Sequence, residues 1–427
     1  MKKLISLLLA GAMALSLFAC TKAPEEDKEK TPDPARNVPI SELTAGITAS
    51  YKPHTVKADT KPLSDLGKAM LEAAEGENPV VSPLSAWFAL ALAANGAAGD
   101  TAKEFAALLG GDADSMNDTA LAIADALGRC TGENTVFSAA NSAWVDGNAA
   151  ILDEYLDKLV AVYNAQAFSG TLSSREAMEQ MNSWVSGKTR GLIPTLFEDP
   201  LDKDTMLVLI NTLYMKAKWQ STFKKESTYN DTFKAASGEL TVPFMHRTAS
   251  MEYLSGQGYE GVVLPYRSDG DNCLEFVAVK PTGGTVRQLL ASMDAAELAS
   301  LRGEGRRVAL SMPKFTAEEK LELKDVLTDL GLKKAFTPFV ADFSKMGTSK
   351  DGDPLYIGRV LQKVKIIVDE EGTEAAAATA VVVPNATAMP PTEMIFLRLD
   401  EPFIYLVRDA QTGAVSFMGI VDAPKAP

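Results

Sequence analysis

Glu370-Glu-Gly-Thr-Glu-Ala-Ala-Ala-Ala-Thr-Ala-Val-Val-Val-Pro384 is the most unusual stretch of this 427-residue chain. Its four consecutive alanines favour a short surface helix. Gly372 before them and three valines after them favour an extended segment instead. Every second residue from Thr373 to Thr379 is small, and in an extended chain these residues share one face. Such a segment could enter a packed sheet as an additional strand without steric clash.

The surrounding sequence predicts one large domain of the α+β class, since no linker or repeat interrupts it between about Leu63 and Val421. Helical spacing of apolar residues occurs at 63–75 and 151–163. Thr101 to Glu104 has the pattern of a capping box, with Gly110-Gly111 as the helix stop. Apolar runs predict strands at 206–215, 274–279, 308–312, 364–368, 394–399, 403–407 and 415–421.

Composition excludes several classes of function. Hydrophobic residues make up 46% of the chain, which is enough for a sizeable core. The net charge of −14, from 42 Lys and Arg against 56 Asp and Glu, disfavours nucleic acid as a partner. Three cysteines in no Cys-x-x-Cys pattern predict no metal site. Free, buried Cys130 and Cys273 are the favoured state, and a bridge between them stays an alternative.

A search for a catalytic site predicts that the protein is not an enzyme. The chain has two histidines, His54 and His246, and neither lies near a nucleophile motif. Gly-x-Ser-x-Gly, His-Glu-x-x-His, a phosphate-binding loop and a dinucleotide fingerprint are all missing from the sequence. We therefore expect no catalytic residues and no cofactor, with a hydrolase kept as the less favoured alternative.

The N-terminus has the pattern of an export signal. Lys2 and Lys3 precede an apolar run, Leu4–Phe18, that is too short to span a bilayer comfortably. The run ends in Leu-Phe-Ala-Cys20, which resembles the lipoprotein box of bacterial signal peptides. We predict a signal peptide over 1–20 with lipidation at Cys20, and a flexible, Pro-rich and charged stalk over 21–60. An ordinary cleaved signal peptide is the alternative.

The resulting expectation is an exported protein held by a lipid on the bacterial cell envelope. The outer membrane is the favoured site, facing either the periplasm or the surface. The membrane contact would be made through the lipid and not through a transmembrane helix.

Several motifs resemble the serpin (serine protease inhibitor) family. Glu371 to Ala380 is similar to the hinge of inhibitory serpins, nearly residue for residue. The other family motifs follow in the family's order over about residues 60–424, and we place the serpin domain at 61–427. They are Asn78–Ser85, Gly96–Thr101, Met181–Val185, Thr189–Ile193, Asn211–Trp219, Pro313–Phe315, Ala341–Ser344, Glu401–Phe403 and Phe417–Gly419.

This resemblance implies helices packed around a large mixed central β-sheet and two smaller sheets, with an exposed reactive-centre loop. The hinge would comprise Glu370, Glu371, Gly372, Thr373, Glu374, Ala375, Ala376, Ala377, Ala378, Thr379 and Ala380. The shutter and breach of the central sheet would comprise Ser82, Ser85, Asn211, Trp219, Lys314 and Gln362.

Two of these positions carry particular expectations. Gln362 stands where the family has a histidine, which leaves the shutter hydrogen bonds open, although an amide can both donate and accept. Lys314 would pair with Glu370 at the top of the sheet, as an exposed and therefore minor latch.

The resemblance also implies a suicide-substrate mechanism, in which a protease cleaves the loop and the hinge inserts into the sheet. The expected reactive bond is Ala386–Thr387, with cleavage anywhere from Val383 to Ala388 acceptable. No Lys or Arg lies between Lys365 and Arg398, so elastase-like serine proteases are the favoured partners. Papain-like cysteine proteases are a second possibility.

A hinge charge such as Thr373→Arg is expected to convert such an inhibitor into a substrate. We expect a monomer, and the alternative function is a non-inhibitory serpin that serves as a binding or scaffold protein.

Overall fold

A computed structural model describes residues 38–50, 58–268, 273–373 and 394–427. Within these ranges the α-helices are α1 (Lys61–Ala73), α2 (Pro83–Ala94), α3 (Gly99–Leu109), α4 (Ala113–Cys130), α5 (Asp153–Tyr163), α6 (Arg175–Lys188), α7 (Val286–Ser292), α8 (Ala295–Ser300) and α9 (Lys324–Asp329). No helix of the described residues is long and apolar enough to cross a membrane.

The strands of the same ranges are β1 (Ser41–Glu42), β2 (Val80–Val81), β3 (Thr135–Asp146), β4 (Ala149–Ile151), β5 (Gln166–Gly170), β6 (Leu207–Lys218), β7 (Thr228–Ala235), β8 (Gly238–Gly256), β9 (Tyr259–Pro265), β10 (Leu274–Pro281), β11 (Glu304–Pro313), β12 (Phe315–Glu322), β13 (Gly347–Ser349), β14 (Arg359–Val368), β15 (Gly372–Thr373), β16 (Ile395–Arg398), β17 (Phe403–Asp409) and β18 (Val415–Val421).

The central sheet is mixed, as expected, and has the order β1-β5-β3-β6-β15-β14-β12 in the described part of the chain. β6 runs antiparallel to β3 and parallel to β14, and β14 runs antiparallel to β12. A second sheet follows the path β16-β11-β8-β9-β10-β17-β18-β2, with β7 paired to β8, and β4 pairs with β13 in a two-stranded sheet. The α+β class is thereby confirmed.

Helix α2 connects the two large sheets. All its residues are buried, because it contacts β6 of the central sheet and β18 of the second sheet. A helix that is apolar on every side, like Pro83–Ala94, is stable in water only when it is covered on every side. The N-terminus of this helix lies under the middle of the central sheet, where it contributes to the site described below.

Each predicted helix and strand overlaps an observed element, with some predicted bounds one or two residues outside it, but the capping box at Thr101 is wrong. Helix α3 begins at Gly99, so Thr101 lies inside it, and its hydroxyl accepts the Asp342 backbone N–H at 3.0 Å. The carboxylate of Glu104 accepts the N–H groups of Lys333 and Lys334, each at 2.8 Å. Both side chains are used by distant segments and not by the helix end.

The expected stalk over 21–60 is also wrong for residues 38–50. β1 pairs with β5 at the edge of the central sheet, in the register Ser41 to Ser169. The Val38 N–H donates to the Thr171 hydroxyl at 2.8 Å, and the Ser50 N–H and hydroxyl both donate to Asp157 at 2.8 Å. A short segment without apolar periodicity can still be ordered by such backbone pairing. Residues 21–37 and 51–57 of the stalk, with Cys20 and the signal peptide, lie outside the described residues.

Cys130 and Cys273 are both free and buried, so the alternative of a bridge between them is not formed in this structure. Burial, together with the neighbouring Cys273, raises the pKa of the Cys130 thiol. A thiol with a raised pKa is a poor nucleophile.

Removal of residues 38–50 should lower the thermal stability, because it exposes the β5 edge and removes the partners of Thr171 and Asp157. A chain that starts at residue 58 should melt about 2–5 °C below one that starts at residue 38, measured by differential scanning calorimetry. Equal melting temperatures would show that the pairing contributes nothing.

Candidate functional site

A tight turn after β14 carries the first residues of the expected hinge back into the central sheet. The Asp369 N–H donates to the Gly372 carbonyl at 3.0 Å, and the Asp369 carboxylate accepts the N–H groups of Glu371 and Gly372 at 2.8 and 3.2 Å. Burial raises the pKa of Asp369, although these two bonds act in the opposite direction. The carboxylate therefore closes the turn from inside the fold.

Gly372 permits the closest approach in this region. Its φ is +155°, and a Cβ at this position would lie 2.0 Å from the Ala217 carbonyl oxygen of β6. No side chain can be accommodated at that distance, so only glycine lets the hinge lie against β6 here.

Strand β15 lies between β6 and β14 and pairs with both. Gly372 is opposite Lys218 and Thr373 opposite Ala217 on one side, and Thr373 is opposite Val368 on the other. Further along, Arg359–Gln362 of β14 pairs directly with Val208–Asn211 of β6. The sheet is thus separated at one end by the hinge and closed by direct pairing at the other.

Trp219 holds the turn from the end of β6. Its backbone N–H donates to the Glu371 carbonyl and its indole N–H to the Asp369 carbonyl, each at 2.8 Å. The ring stacks on Tyr266, with centroids 4.6 Å apart and an interplanar angle of 10°. The Tyr266 hydroxyl in turn lies 2.6 Å from the Thr373 hydroxyl. These contacts fix both ends of the turn to one aromatic pair.

The Lys314–Glu370 pair is present, but the expectation of an exposed and minor latch is wrong. The two groups are 2.9 Å apart, and the side chains of Lys314 and Glu370 are 23% and 7% exposed. Burial alone would raise the pKa of Glu370, yet the hydrogen bond and the charge of Lys314 hold it below its usual value. Loss of one partner would leave the other charge in a poorly solvated place, which is more damaging than loss of a surface pair.

The shutter residues are arranged around the N-terminus of α2. The Gln362 amide accepts the Ser82 N–H at 2.9 Å and donates to the Ser82 carbonyl at 2.8 Å. The Ser82 hydroxyl accepts the Ser85 N–H at 3.3 Å and caps the helix. Gln362 therefore bridges β14 to the helix by binding the Ser82 backbone, and the hydroxyl of Ser85 has no hydrogen-bond partner among the described residues.

Asn211 lies opposite Gln362 in the direct β6–β14 pairing, but its amide nitrogen donates to Asn141 of β3. The structure thus brings the four shutter residues to one place without joining them in one hydrogen-bonded network.

Three residues of this site were not singled out from the sequence: Asn141, Tyr266 and Asp369. Only the tertiary structure places the first two next to Asn211 and Thr373, respectively. Asp369 did have a local signal, since an Asp three residues before Gly is typical of a tight turn. The hinge residues from Glu374 to Ala380 and the expected reactive bond Ala386–Thr387 lie outside the described residues.

Gln362→Glu should destabilise the protein, because a carboxylate cannot donate to the Ser82 carbonyl and would be buried without a cation. We expect the free energy of unfolding, measured with urea at pH 8, to fall by about 3 kcal/mol. The buried carboxyl would have a raised pKa in the folded state, so the loss should be smaller at pH 4.5, where the protonated acid can donate.

The matched control for this test is Gln411→Glu at an exposed position, which should leave stability unchanged. Equal effects of the two substitutions, or the same loss at both pH values, would contradict the role given to Gln362.

Comparison with known proteins gives consistent matches. A family model described as Serpin (serine protease inhibitor) matches residues 61–424. The chain is 32% identical over 416 residues to an uncharacterized serpin-like protein of Thermococcus kodakarensis, covering 94% of each chain. It is 33% identical over 361 residues to a serine protease inhibitor of Cyanea capillata, covering 82% of this chain and 93% of that one.

Among solved structures, the native state of the thermophilic serpin tengpin matches with a TM-score of 0.80 and 28% identity, covering 90% of this chain and 100% of that one. The latent state of tengpin matches with a TM-score of 0.72, covering 87% and 100%. The family model, the relatives and the sheet topology agree: this chain belongs to the serpin family, whose members are mostly protease inhibitors and not enzymes.

Proposed function

We propose that this serpin inhibits proteases as a suicide substrate, with the loop that follows the hinge as the bait. The observation that carries this proposal is β15, in which Gly372 and Thr373 already pair between β6 and β14. The hinge therefore needs no new entry point, since each further residue can extend a strand that has begun.

The two registers of β15 predict the same end point for insertion. Thr373 is opposite both Ala217 and Val368, and six residues further along these antiparallel registers lie Asn211, Gln362 and Thr379 of the hinge. Asn211 and Gln362 are themselves paired in the present structure. Insertion as far as Thr379 would thus separate Asn211 from Gln362, the first of the direct β6–β14 pairs, and place a hydroxyl between the two shutter amides.

The same registers explain the small residues of the hinge. Thr373 faces the interior with Tyr266, so residues 375, 377 and 379 would face the same way. Ala377 would lie between Leu213 and Val364, which are both buried. Only a small side chain fits between such neighbours without displacing them.

The chemistry of inhibition follows from cleavage and insertion. The protease nucleophile attacks the scissile carbonyl and forms an acyl-enzyme, releasing the new N-terminus of the loop. Insertion of the cut strand then adds backbone pairs on both sides and carries the acylated protease along. Distortion of the oxyanion hole and the triad stops deacylation, since that step needs the intact site.

The target class is proposed from the loop sequence. Ala386–Thr387 is the favoured bond, within the range Val383 to Ala388, and small aliphatic residues suit the shallow first pocket of elastase-like serine proteases. Papain-like cysteine proteases are the second candidate class. We also propose that the protein is a monomer. The N-terminal sequence alone supports the further proposal that it is exported and tethered to the bacterial envelope by a lipid at Cys20.

Mixing the protein with an elastase at near-equal molar amounts should give a band of the combined mass on a denaturing gel. The reason is that the acyl bond is covalent and survives the denaturant. Mass spectrometry of the released C-terminal peptide should place the cut between residues 383 and 388.

A cut loop without that band, repeated with several small-pocket serine and cysteine proteases, would contradict inhibition and favour a binding or scaffold serpin. The band with a different class of protease would retain the mechanism and reject only the elastase assignment.

Ala377→Glu should convert the inhibitor into a substrate, because insertion would bury a carboxylate between Leu213 and Val364. The stoichiometry of inhibition against the same elastase should rise by about tenfold, as an added barrier of about 1.4 kcal/mol to insertion would produce.

Ala376→Glu is the matched control for this substitution. In the extended register Ala376 lies opposite Lys365, whose side chain is 25% exposed and whose ammonium lies 3.1 Å from Glu318. A carboxylate at this position has a cation beside it, so the stoichiometry of inhibition of Ala376→Glu should stay close to that of the wild type. Equal stoichiometries for the two variants would reject the proposed register.

A further inference from the structure

A cavity of about 260 Å³ lies beside the hinge turn, between β8, β9 and the end of β6. Its apolar wall includes Trp219, Met251 and Leu264. Arg247 is the arginine among its lining residues, and we call this space the Arg247 cavity. Trp219 is the ring that holds the hinge turn, so the cavity shares a wall with the functional site.

The guanidinium of Arg247 has an unusual environment. Its Nε is buried and has no hydrogen-bond partner among the described residues. The group lies over the Phe223 ring, 4.8 Å from the centroid, and burial lowers the pKa of Arg247 to about 10. The side chain therefore keeps its charge at neutral pH with one donor unused. Buried donors in native proteins are nearly always satisfied, so this one requires an explanation.

Neither of the two carboxylates that line the cavity serves as the acceptor for the Arg247 Nε. Glu275 is already paired with Arg302 at 2.6 Å and Arg408 at 3.1 Å. Glu252 accepts the Gly303 N–H at 2.8 Å. In the described parts of the chain, neither carboxylate forms an ion pair with Arg247. Buried Arg408 is by contrast well partnered: it pairs with Glu275 and donates to two backbone carbonyls.

We infer that the Arg247 cavity binds a small organic carboxylate with an apolar body. The guanidinium would donate to the carboxylate, and the body would lie against Met251, Leu264 and the Trp219 ring. The volume lies just below the usual range of ligand pockets, which limits the occupant to about the size of one aromatic ring with a short acidic arm. The hydroxyls of Ser221 and Ser250, also in the lining, are further hydrogen-bonding groups there.

Isothermal titration of the full chain with phenylacetate and with its uncharged analogue phenylacetamide tests this inference without any protease. Phenylacetate should bind saturably below about 10 mM, as expected for so small a ligand, and the amide about tenfold more weakly. Arg247→Gln should reduce phenylacetate affinity by about tenfold. Arg307→Gln, an exposed arginine on the neighbouring strand β11, should leave it unchanged.

Equal binding of acid and amide, or no saturable binding of phenylacetate, would overturn the inference. Equal losses in Arg247→Gln and Arg307→Gln would overturn it as well, since they would reflect general charge. If Arg247→Gln does not fold, the comparison of acid with amide on the wild-type chain still decides the question.

Discussion

The contact between Gly372 and the Ala217 carbonyl is the constraint on which the central sheet depends. A side chain at position 372 would clash with this carbonyl. Because glycine has none, the hinge can lie between β6 and β14, and it separates these strands at that end. At the other end, the same two strands pair directly over four residues each, 208–211 of β6 with 359–362 of β14. The sheet thus has one end prepared for an additional strand and another end that keeps it out.

Polar contacts hold each of these ends in place. Trp219 binds the turn through two carbonyls, and the largely buried Lys314–Glu370 ion pair also holds it. At the closed end, Gln362 ties β14 to the N-terminus of α2 through both groups of the Ser82 backbone. Insertion as proposed would extend the first end and separate β6 from β14 at the second, so contacts that hold the second end can keep the native state in a kinetic trap.

The accuracy of the sequence interpretation depended on how local the signal was. Continuous apolar runs such as that of β6 are visible without any partner, and so is the helical stop at Gly110, which has a φ of +80°. Thr101 matched a local capping rule but its hydroxyl is used by Asp342. Residues 38–50 carried no apolar pattern, and Glu370 was interpreted as an exposed residue, because edge pairing and burial depend on segments far away in the chain.

The sequence by itself determined the α+β class, the serpin resemblance and the small, glycine-containing hinge, since each depends on residue types at fixed spacing. Only the tertiary structure decided that β15 has already entered the sheet and that Gln362 binds the Ser82 backbone. It also decided that the buried Nε of Arg247 has no hydrogen-bond partner among the described residues. These features join residues separated by more than a hundred positions, or depend on how much water a charge retains. The spacing of residues along a chain shows neither which distant segments pair nor how far a charge is desolvated, because both are set only when the sheets and helices pack together.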